Sequence, residues 1–165
     1  MKIRRSNERG MASEGWLKSR YSFSFANYRD DEWVKFGKLR VINEDWIAPG
    51  SGFPMHSHHD MEIVTSMLSG ELHHRDSMGN EQVLRAGEVQ SMSAGRGISH
   101  SEWNASETEE AHLYQIWIVP VNKGLTPTYD QFVPEDNDDD QILVSDGSSG
   151  LDINQRAEIS SINID

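Results

Sequence analysis

The stretch Gly-Phe-Pro-Met-His-Ser-His-His-Asp-Met-Glu, residues 52–62, decides both the expected fold and the expected site of this chain. His56 and His58 are separated by one residue, and in an extended strand the side chains at i and i+2 project from the same face. We therefore expect two imidazoles to meet at one point inside a β-sheet protein, where they can chelate a metal ion. Glu62 has the same parity when no bulge intervenes, and is predicted either to coordinate the metal or to support a ligand.

A second pair with the same spacing lies at His100 and Glu102, directly after the turn-forming residues 95–97. On neighbouring strands, the two pairs would bring three imidazoles and one carboxylate together and leave coordination positions open on an octahedral metal. One accidental His-x-His is not rare in a chain with 7 histidines, but the repeated spacing requires two coincidences. The repetition therefore favours a metal site over two unrelated surface pairs.

The other four histidines are His59, His73, His74 and His112. His73 and His74 must alternate between the faces of a strand, so only one of them can point inward. We interpret all four as surface residues or as residues that support a ligand, and not as ligands themselves.

The rest of the chain up to residue 119 is typical of an all-β protein. Short runs rich in β-branched and aromatic residues are separated by glycine or asparagine, and no long pattern of period 3.6 competes with them. The predicted strands cover residues 21–25, 34–42, 61–68, 71–75, 82–84, 89–92 and 112–119. Their regular spacing favours a small barrel or sandwich.

Cysteine is absent from the 165 residues, which excludes disulfides, Cys-ligated zinc, iron–sulfur clusters and thiol nucleophiles. Any metal must therefore be held by nitrogen and oxygen, a donor set that suits iron, manganese, nickel or copper better than structural zinc. The length fits one principal domain with one hydrophobic core.

Charge and hydropathy narrow the range of partners. The chain has 27 acidic and 15 basic residues, a net charge of −12, and much of the excess falls at residues 135–140. This charge repels a phosphate backbone, so we expect no direct nucleic-acid partner. No apolar run approaches the ~20 residues of a membrane span, and no apolar segment follows the basic N-terminus, so we expect no membrane partner and a cytoplasmic location.

Several segments closely resemble the N-terminal cupin barrel of the pirin family, most distinctively AGEVQSMSAGRGISHSE at residues 86–102. The matching segments are residues 22–28, 52–58 with Glu62 and Gly70, 74–79, 86–102 and 113–117. Together they cover roughly residues 1–134. The resemblance implies an all-β, cupin-type barrel, also called a double-stranded β-helix or jelly roll, with a short C-terminal β extension.

The resemblance also implies roles for individual residues. The four family ligands fall on His56, His58, His100 and Glu102, whereas cupins in general often use a glutamate in the position of Glu62, so the choice between the two carboxylates stays open. Fe(II) is the metal implied first, with Mn, Ni, Cu or Zn as alternatives. Several bacterial members resemble quercetin 2,3-dioxygenases, which implies a flavonol and O2 as substrates and Glu102 as the catalytic base. The alternative is a non-enzymatic metal-binding module that acts as a protein-binding transcription cofactor or redox sensor.

Members of this family generally carry two cupin barrels in one chain. We therefore predict a metal-binding barrel at residues 1–120, an acidic connector at 121–140, and a remnant of the second barrel at 141–165. Such a remnant would leave part of the first barrel uncovered. We hypothesise that the chain forms a homodimer through this C-terminal region.

Overall fold

A computed structural model describes residues 3–133, 141–147 and 150–161 of the chain. After a 3-10 turn at Ser6–Glu8, the regular elements of these residues are all β-strands. The strands are β1 Gly10–Ser13, β2 Leu17–Tyr21, β3 Leu39–Ile47, β4 Ser51–His58, β5 Glu62–Ser69, β6 Glu71–Asp76, β7 Glu81–Arg85, β8 Val89–Ser93, β9 Ile98–Asn104, β10 Ala111–Ile118, β11 Thr128–Phe132, β12 Gln141–Ser145, β13 Leu151–Asp152 and β14 Ile159–Ser161. The predicted all-β fold is confirmed.

The strands form three sheets. A seven-stranded sheet has the order β1-β2-β3-β10-β5-β8-β11, and a four-stranded sheet has the order β4-β9-β6-β7. One hydrophobic core contains Leu17, Ile47 and Met67 from the larger sheet and Leu72 and Leu84 from the smaller one, so the two sheets pack face to face. This double-sheet arrangement is the barrel in which the candidate site lies.

The third sheet, β13-β12-β14, covers the outer side of the seven-stranded sheet. Val144 and Leu151 from this small sheet pack with Val64, Val89 and Ile118 in a second core. The centre of the large sheet is therefore buried on both faces. This explains why β8 is buried at every position, whereas β9, on the four-stranded sheet, has buried residues only at alternate positions.

Most of the predicted strands match observed ones within two residues, namely those at 61–68, 71–75, 82–84, 89–92 and 112–119. The predictions at 21–25 and 34–42 were misplaced, since β2 already ends at Tyr21 and β3 begins only at Leu39. The chain turns in between, where Ala26 has a left-handed φ of 47° and carbonyl groups bond to the side chains of Arg4 and Arg40 instead of to a strand. Local apolar content does not reveal such long-range side-chain contacts.

Residues 128–132, inside the range predicted as a connector, form β11, which pairs with β8 in antiparallel register. The acidic run at 135–140 lies outside the described residues, and the division of the chain at residues 120 and 140 stays a prediction. No helix of the described part of the chain is long and apolar enough to cross a membrane.

Candidate metal centre

Three histidines meet on two adjacent strands of the four-stranded sheet. His56 and His58 lie on β4, His100 lies on β9, and His56 is the direct cross-strand partner of His100. The imidazole nitrogens that could bind a metal all lie within 4.8 Å of one another. We call these three residues the histidine cluster. The i, i+2 spacing of His56 and His58 therefore produces the convergence that the sequence predicted.

Local features of β4 bring the two strands together and orient the first imidazole. The backbones approach so closely at Gly52 that a Cβ atom there would lie 2.2 Å from the carbonyl oxygen of Glu102, which excludes any other residue. The register then shifts between Phe53 and His56, which marks a bulge. Nδ1 of His56 lies 2.8 Å from the carbonyl oxygen of Pro54, so Nδ1 donates the proton and Nε2 is left to bind a metal.

The cluster contains buried nitrogens that make no hydrogen bond. These are Nε2 of His58 and both ring nitrogens of His100, which is 1% exposed. Burial, with the neighbouring imidazoles, lowers the pKa of His58 to about 4 and that of His100 to about 3. Both rings are therefore neutral at pH 7, which is the form that coordinates a cation. Unpartnered buried nitrogens are costly, and a divalent metal fits this donor set.

Glu102 lies two residues after His100 on the same inward face of β9 and is 2% exposed. Its carboxylate accepts hydrogen bonds from Thr65 Oγ1 at 3.4 Å, Gln90 Nε2 at 3.2 Å and Gln115 Nε2 at 2.5 Å. Burial raises the pKa of this carboxyl. Among the described residues, the group of ligand atoms within 4.8 Å contains the three histidines and no carboxylate, so coordination by Glu102 stays a prediction.

Glu62 does not continue the strand of the two histidines, and the parity argument for it was wrong. His58 ends β4 in the four-stranded sheet, the chain turns through Asp60 with a φ of 48°, and Glu62 begins β5 in the other sheet. The Glu62 carboxylate accepts a short hydrogen bond from the Ser93 hydroxyl and another from the backbone N–H of Asn154 at 3.0 Å. These contacts fasten the C-terminal segment to the barrel.

His74 and His73 alternate as predicted, since His74 is 1% exposed and the His73 side chain is 43% exposed. The His74 ring stacks on Tyr129 at a centroid distance of 4.3 Å and lies 5.4 Å from the ring of His100. Its Nε2 is 3.2 Å from an oxygen of Asp76. His74 therefore lies behind His100, and a supporting role for it stays a prediction.

The histidine cluster opens into a cavity of about 200 Å³ between the two sheets. Its lining consists of Leu17, Ser19, Tyr21, Phe25, Asn43, Asp45, Phe53, His56, His58, Glu102, Gln115 and Trp117. The aromatic rings provide flat apolar walls that suit a planar ligand. Trp117 also connects the cavity to the site, because its ring packs edge-on against His58 and its Nε1 donates to Gln115 Oε1 at 3.0 Å.

Asp45 is the residue of this cavity that sequence reasoning missed most clearly. It lies on β3, is 3% exposed, and burial together with the charges of Glu102 and Glu44 raises its pKa to about 7, against the lowering effect of the adjacent Ser19. Residues 43–45 follow a hydrophobic run without any motif, so the only sequence indication was the polar residue at an inward position of an alternating strand.

A double-sheet β-barrel with three histidines clustered on adjacent strands defines a cupin-type fold with a candidate metal centre. Within that class the chain belongs to the pirin family, whose model, described as Pirin, matches residues 2–118.

Known proteins similar to this chain agree with that family. A quercetin 2,3-dioxygenase of Escherichia coli K12 is 57% identical over 129 residues, which are 78% of this chain and 56% of that relative. The chain thus spans little more than half the length of that relative. The crystal structure of YhhW from Escherichia coli superposes with a TM-score of 0.91 at 50% identity, over 94% of this chain and 67% of the other. A structure of the bacterial pirin YhhW from Escherichia coli in complex with nickel(II) superposes with a TM-score of 0.91 at 48% identity, over 95% of this chain and 69% of the other.

Proposed function

We propose that this protein is a metal-dependent dioxygenase of the pirin type that opens the ring of quercetin or a related flavonol with O2. The observation that carries the proposal is the histidine cluster, with its unpartnered nitrogens, at the side of an aromatic-lined cavity. The name of the Escherichia coli relative supports the choice of reaction.

In this proposal His56, His58 and His100 hold the metal, and Glu102 provides the carboxylate next to them. Fe(II) is the metal we expect in the cell, and the nickel(II) complex of the related YhhW supports a divalent ion in this kind of site. When bound, the metal supplies a Lewis acid for the flavonol 3-oxygen and the redox chemistry with O2.

The chain's own residues bind the substrate and take its proton. Phe25, Phe53 and Trp117 provide apolar surfaces between which a flat ring can be held. Glu102 Oε1 or Oε2 accepts the 3-hydroxyl proton, and the amides of Gln90 and Gln115 keep the carboxylate in place while it does so. The reaction then incorporates both atoms of O2 and releases carbon monoxide, with no covalent bond to the protein.

The test is to purify the protein, measure its metal content, and follow the flavonol absorbance band in air with and without added iron(II), manganese(II) or nickel(II). We expect an O2-dependent loss of the band in at least one metallated sample and none in His100→Ala. Stoichiometric metal without turnover in any sample would contradict the dioxygenase and favour a metal-binding module for a protein partner.

We also propose self-association through the C-terminal sheet. The three-residue strand β14 is at an edge of that sheet and is mostly exposed, which leaves backbone groups available for pairing with a second copy. Sedimentation velocity over a range of concentrations should reveal a dimer, and a monomer at all concentrations would contradict it.

A further inference from the structure

The cavity contains a second group of buried, unpartnered polar atoms, on the side formed by the seven-stranded sheet. Ser19 Oγ on β2 and the side-chain oxygens Asn43 Oδ1 and Asp45 Oδ1 on β3 make no hydrogen bond within the described part of the chain. The three residues are only 2%, 4% and 3% exposed, and all three line the cavity. We call them the oxygen cluster.

The strand register places these atoms in one patch. Ser19 is the direct partner of Asp45 in the antiparallel β2–β3 ladder, and Asn43, two residues before Asp45, projects from the same face of β3. The Ser19 hydroxyl lies beside Asp45 without meeting the geometry of a hydrogen bond to it. The oxygen cluster is therefore a continuous polar surface and not three scattered residues.

Apart from the histidine nitrogens, which a metal would satisfy, the neighbouring carboxylate and amide groups of the site are hydrogen-bonded. Glu102 accepts three hydrogen bonds, and Gln115 both donates to Glu102 and accepts from Trp117. Buried polar groups are normally hydrogen-bonded because an unpaired one costs free energy. Three buried polar residues side by side in the lining of one cavity, with oxygens that no protein group satisfies, thus point to a ligand that brings hydrogen-bonding groups of its own.

We propose that Ser19, Asn43 and Asp45 bind hydroxyl groups of a phenolic ligand while the histidine cluster holds the ligand's metal-directed oxygen from the other sheet. The inference rests on the proposed function, because it assumes that the ligand reaches a metal at the histidines. It adds the residues that determine specificity: Ser19, Asn43 and Asp45 would select, among phenolic ligands, those with at least one hydroxyl beyond the oxygen directed to the metal.

The dimensions and lining of the cavity agree with this class. At about 200 Å³ the cavity is smaller than the ~300–1,000 Å³ of typical small-molecule pockets, so one ring system fills the space between the two clusters. Tyr21, Phe25 and Trp117 line the same space and can contact the faces of that ring. Burial also raises the pKa of Asp45 and so favours its protonated form. A protonated carboxyl can donate a hydrogen bond to a neutral phenol and accept one from it.

The experiment compares two flavonols that share the metal-directed oxygen but differ in their other hydroxyls, 3-hydroxyflavone and quercetin. Binding is measured without O2 on nickel(II)-loaded protein by quenching of tryptophan fluorescence, so the result does not depend on turnover. We expect wild-type protein to bind quercetin about 10-fold more tightly or better, as one or two satisfied hydrogen bonds would give. Asp45→Leu should lose this advantage and retain wild-type affinity for 3-hydroxyflavone.

Two further variants make the test specific. Glu44→Gln removes a carboxylate from the opposite face of the same strand, where Glu44 contacts Arg9 and His112, and should leave both affinities unchanged. Ser19→Ala removes a smaller part of the oxygen cluster. It should reduce the preference for quercetin without changing the affinity for 3-hydroxyflavone, and it provides the test if Asp45→Leu does not fold. Metal content is measured for each variant.

The outcomes separate the two proposals. If wild-type protein binds neither flavonol, the proposed function fails. If it binds both equally, or if Asp45→Leu and Ser19→Ala retain the full preference for quercetin, the oxygen cluster is not a hydroxyl site and the inference is overturned, while the dioxygenase proposal stands.

Discussion

The two sides of the cavity present opposite kinds of unsatisfied atoms. On the four-stranded sheet, the histidine cluster carries buried imidazole nitrogens, and on the seven-stranded sheet the oxygen cluster carries a hydroxyl, an amide oxygen and a carboxyl oxygen. Neutral imidazole nitrogens are satisfied by a Lewis acid, whereas the oxygens are satisfied by hydrogen-bond donors. A metal alone would therefore complete only one side, and a ligand that reaches from the metal to the oxygen cluster would complete both.

Burial shifts the pKa values of the two clusters in opposite directions, and both shifts favour the neutral form of the group. It lowers the pKa of His100 to about 3 and raises that of Asp45 to about 7, so each group is moved toward its neutral form. A poorly solvated cavity disfavours charge of either sign. The two clusters thus differ in the kind of partner that satisfies their atoms and not in net charge. Each cluster can be removed separately by mutation.

The largest effect is expected from the histidine cluster. His100→Ala removes the only buried ligand of the three, and we expect metal affinity to fall by more than about 100-fold, since even residues that merely support a ligand contribute about 10–100-fold. The measurement is competition with a chelator followed by metal analysis. His73→Ala, a histidine with a 43% exposed side chain on β6, is the matched control and should bind metal normally. Full metal retention by His100→Ala would rule out the three-histidine centre.

Glu102 and Glu62 are both buried, and the exchange of each for glutamine compares a carboxylate beside the histidine cluster with one that contacts the C-terminal segment. Glu102→Gln should weaken metal binding by about 10–100-fold, because the carboxylate beside the histidines loses its charge. Glu62→Gln should leave metal affinity within about twofold and instead lower the unfolding free energy by about 1–2 kcal/mol, because its hydrogen bonds to Ser93 and Asn154 lose their charge assistance. Weaker metal binding by Glu62→Gln alone would assign coordination to Glu62.

The histidine cluster could be predicted from the sequence because its information is local. A strand of period 2 places His56 and His58 on one face whatever the rest of the fold does, and the match at His100 needed only one strand pairing. Glu62 failed the same argument because the chain leaves β4 at His58 and enters a different sheet within four residues. Sheet switching at a short turn such as the one at Asp60 has no local pattern that predicts it.

The oxygen cluster could not be predicted because all of its information is long-range. Ser19 and Asp45 become neighbours through the β2–β3 ladder, and they face the histidines only because the two sheets close around one cavity. In the sequence, the alternation of β3 marks Asn43 and Asp45 only as polar residues at inward positions, and it does not show what they face. The same applies to Gln90 and Gln115, which fix Glu102 from β8 and β10.

A third prediction uses the pH dependence of stability to detect the free-energy cost of burying the Asp45 carboxylate in the oxygen cluster. The folded pKa of Asp45, about 7, lies above its unfolded value of 3.8, so the folded state binds the proton more tightly and loses stability as pH rises from about 4 to 7. In metal-free protein, Asp45→Asn removes this penalty. The variant should be more stable than wild type by up to about 4 kcal/mol at pH 8, since one pKa unit corresponds to about 1.4 kcal/mol, and the advantage should shrink toward pH 4. Denaturant unfolding at each pH measures it, and a pH-independent difference would contradict the raised pKa.

The last pH effect is smaller than that of Asp45→Asn and should have the opposite sign, on the other side of the cavity. The folded pKa of His100, about 3, lies below its unfolded value of 6.5, so below pH 6.5 the unfolded state takes up the proton first and the metal-free fold loses stability as pH falls. His100→Gln removes this loss, and its stability relative to wild type should rise by about 2–3 kcal/mol between pH 7 and pH 4.5. Relative to wild type, Asp45→Asn therefore gains stability toward alkaline pH and His100→Gln gains it toward acid pH. If both variants shifted in the same direction, a general loosening of the barrel would explain them, and the two clusters would not be the separate sites that we propose.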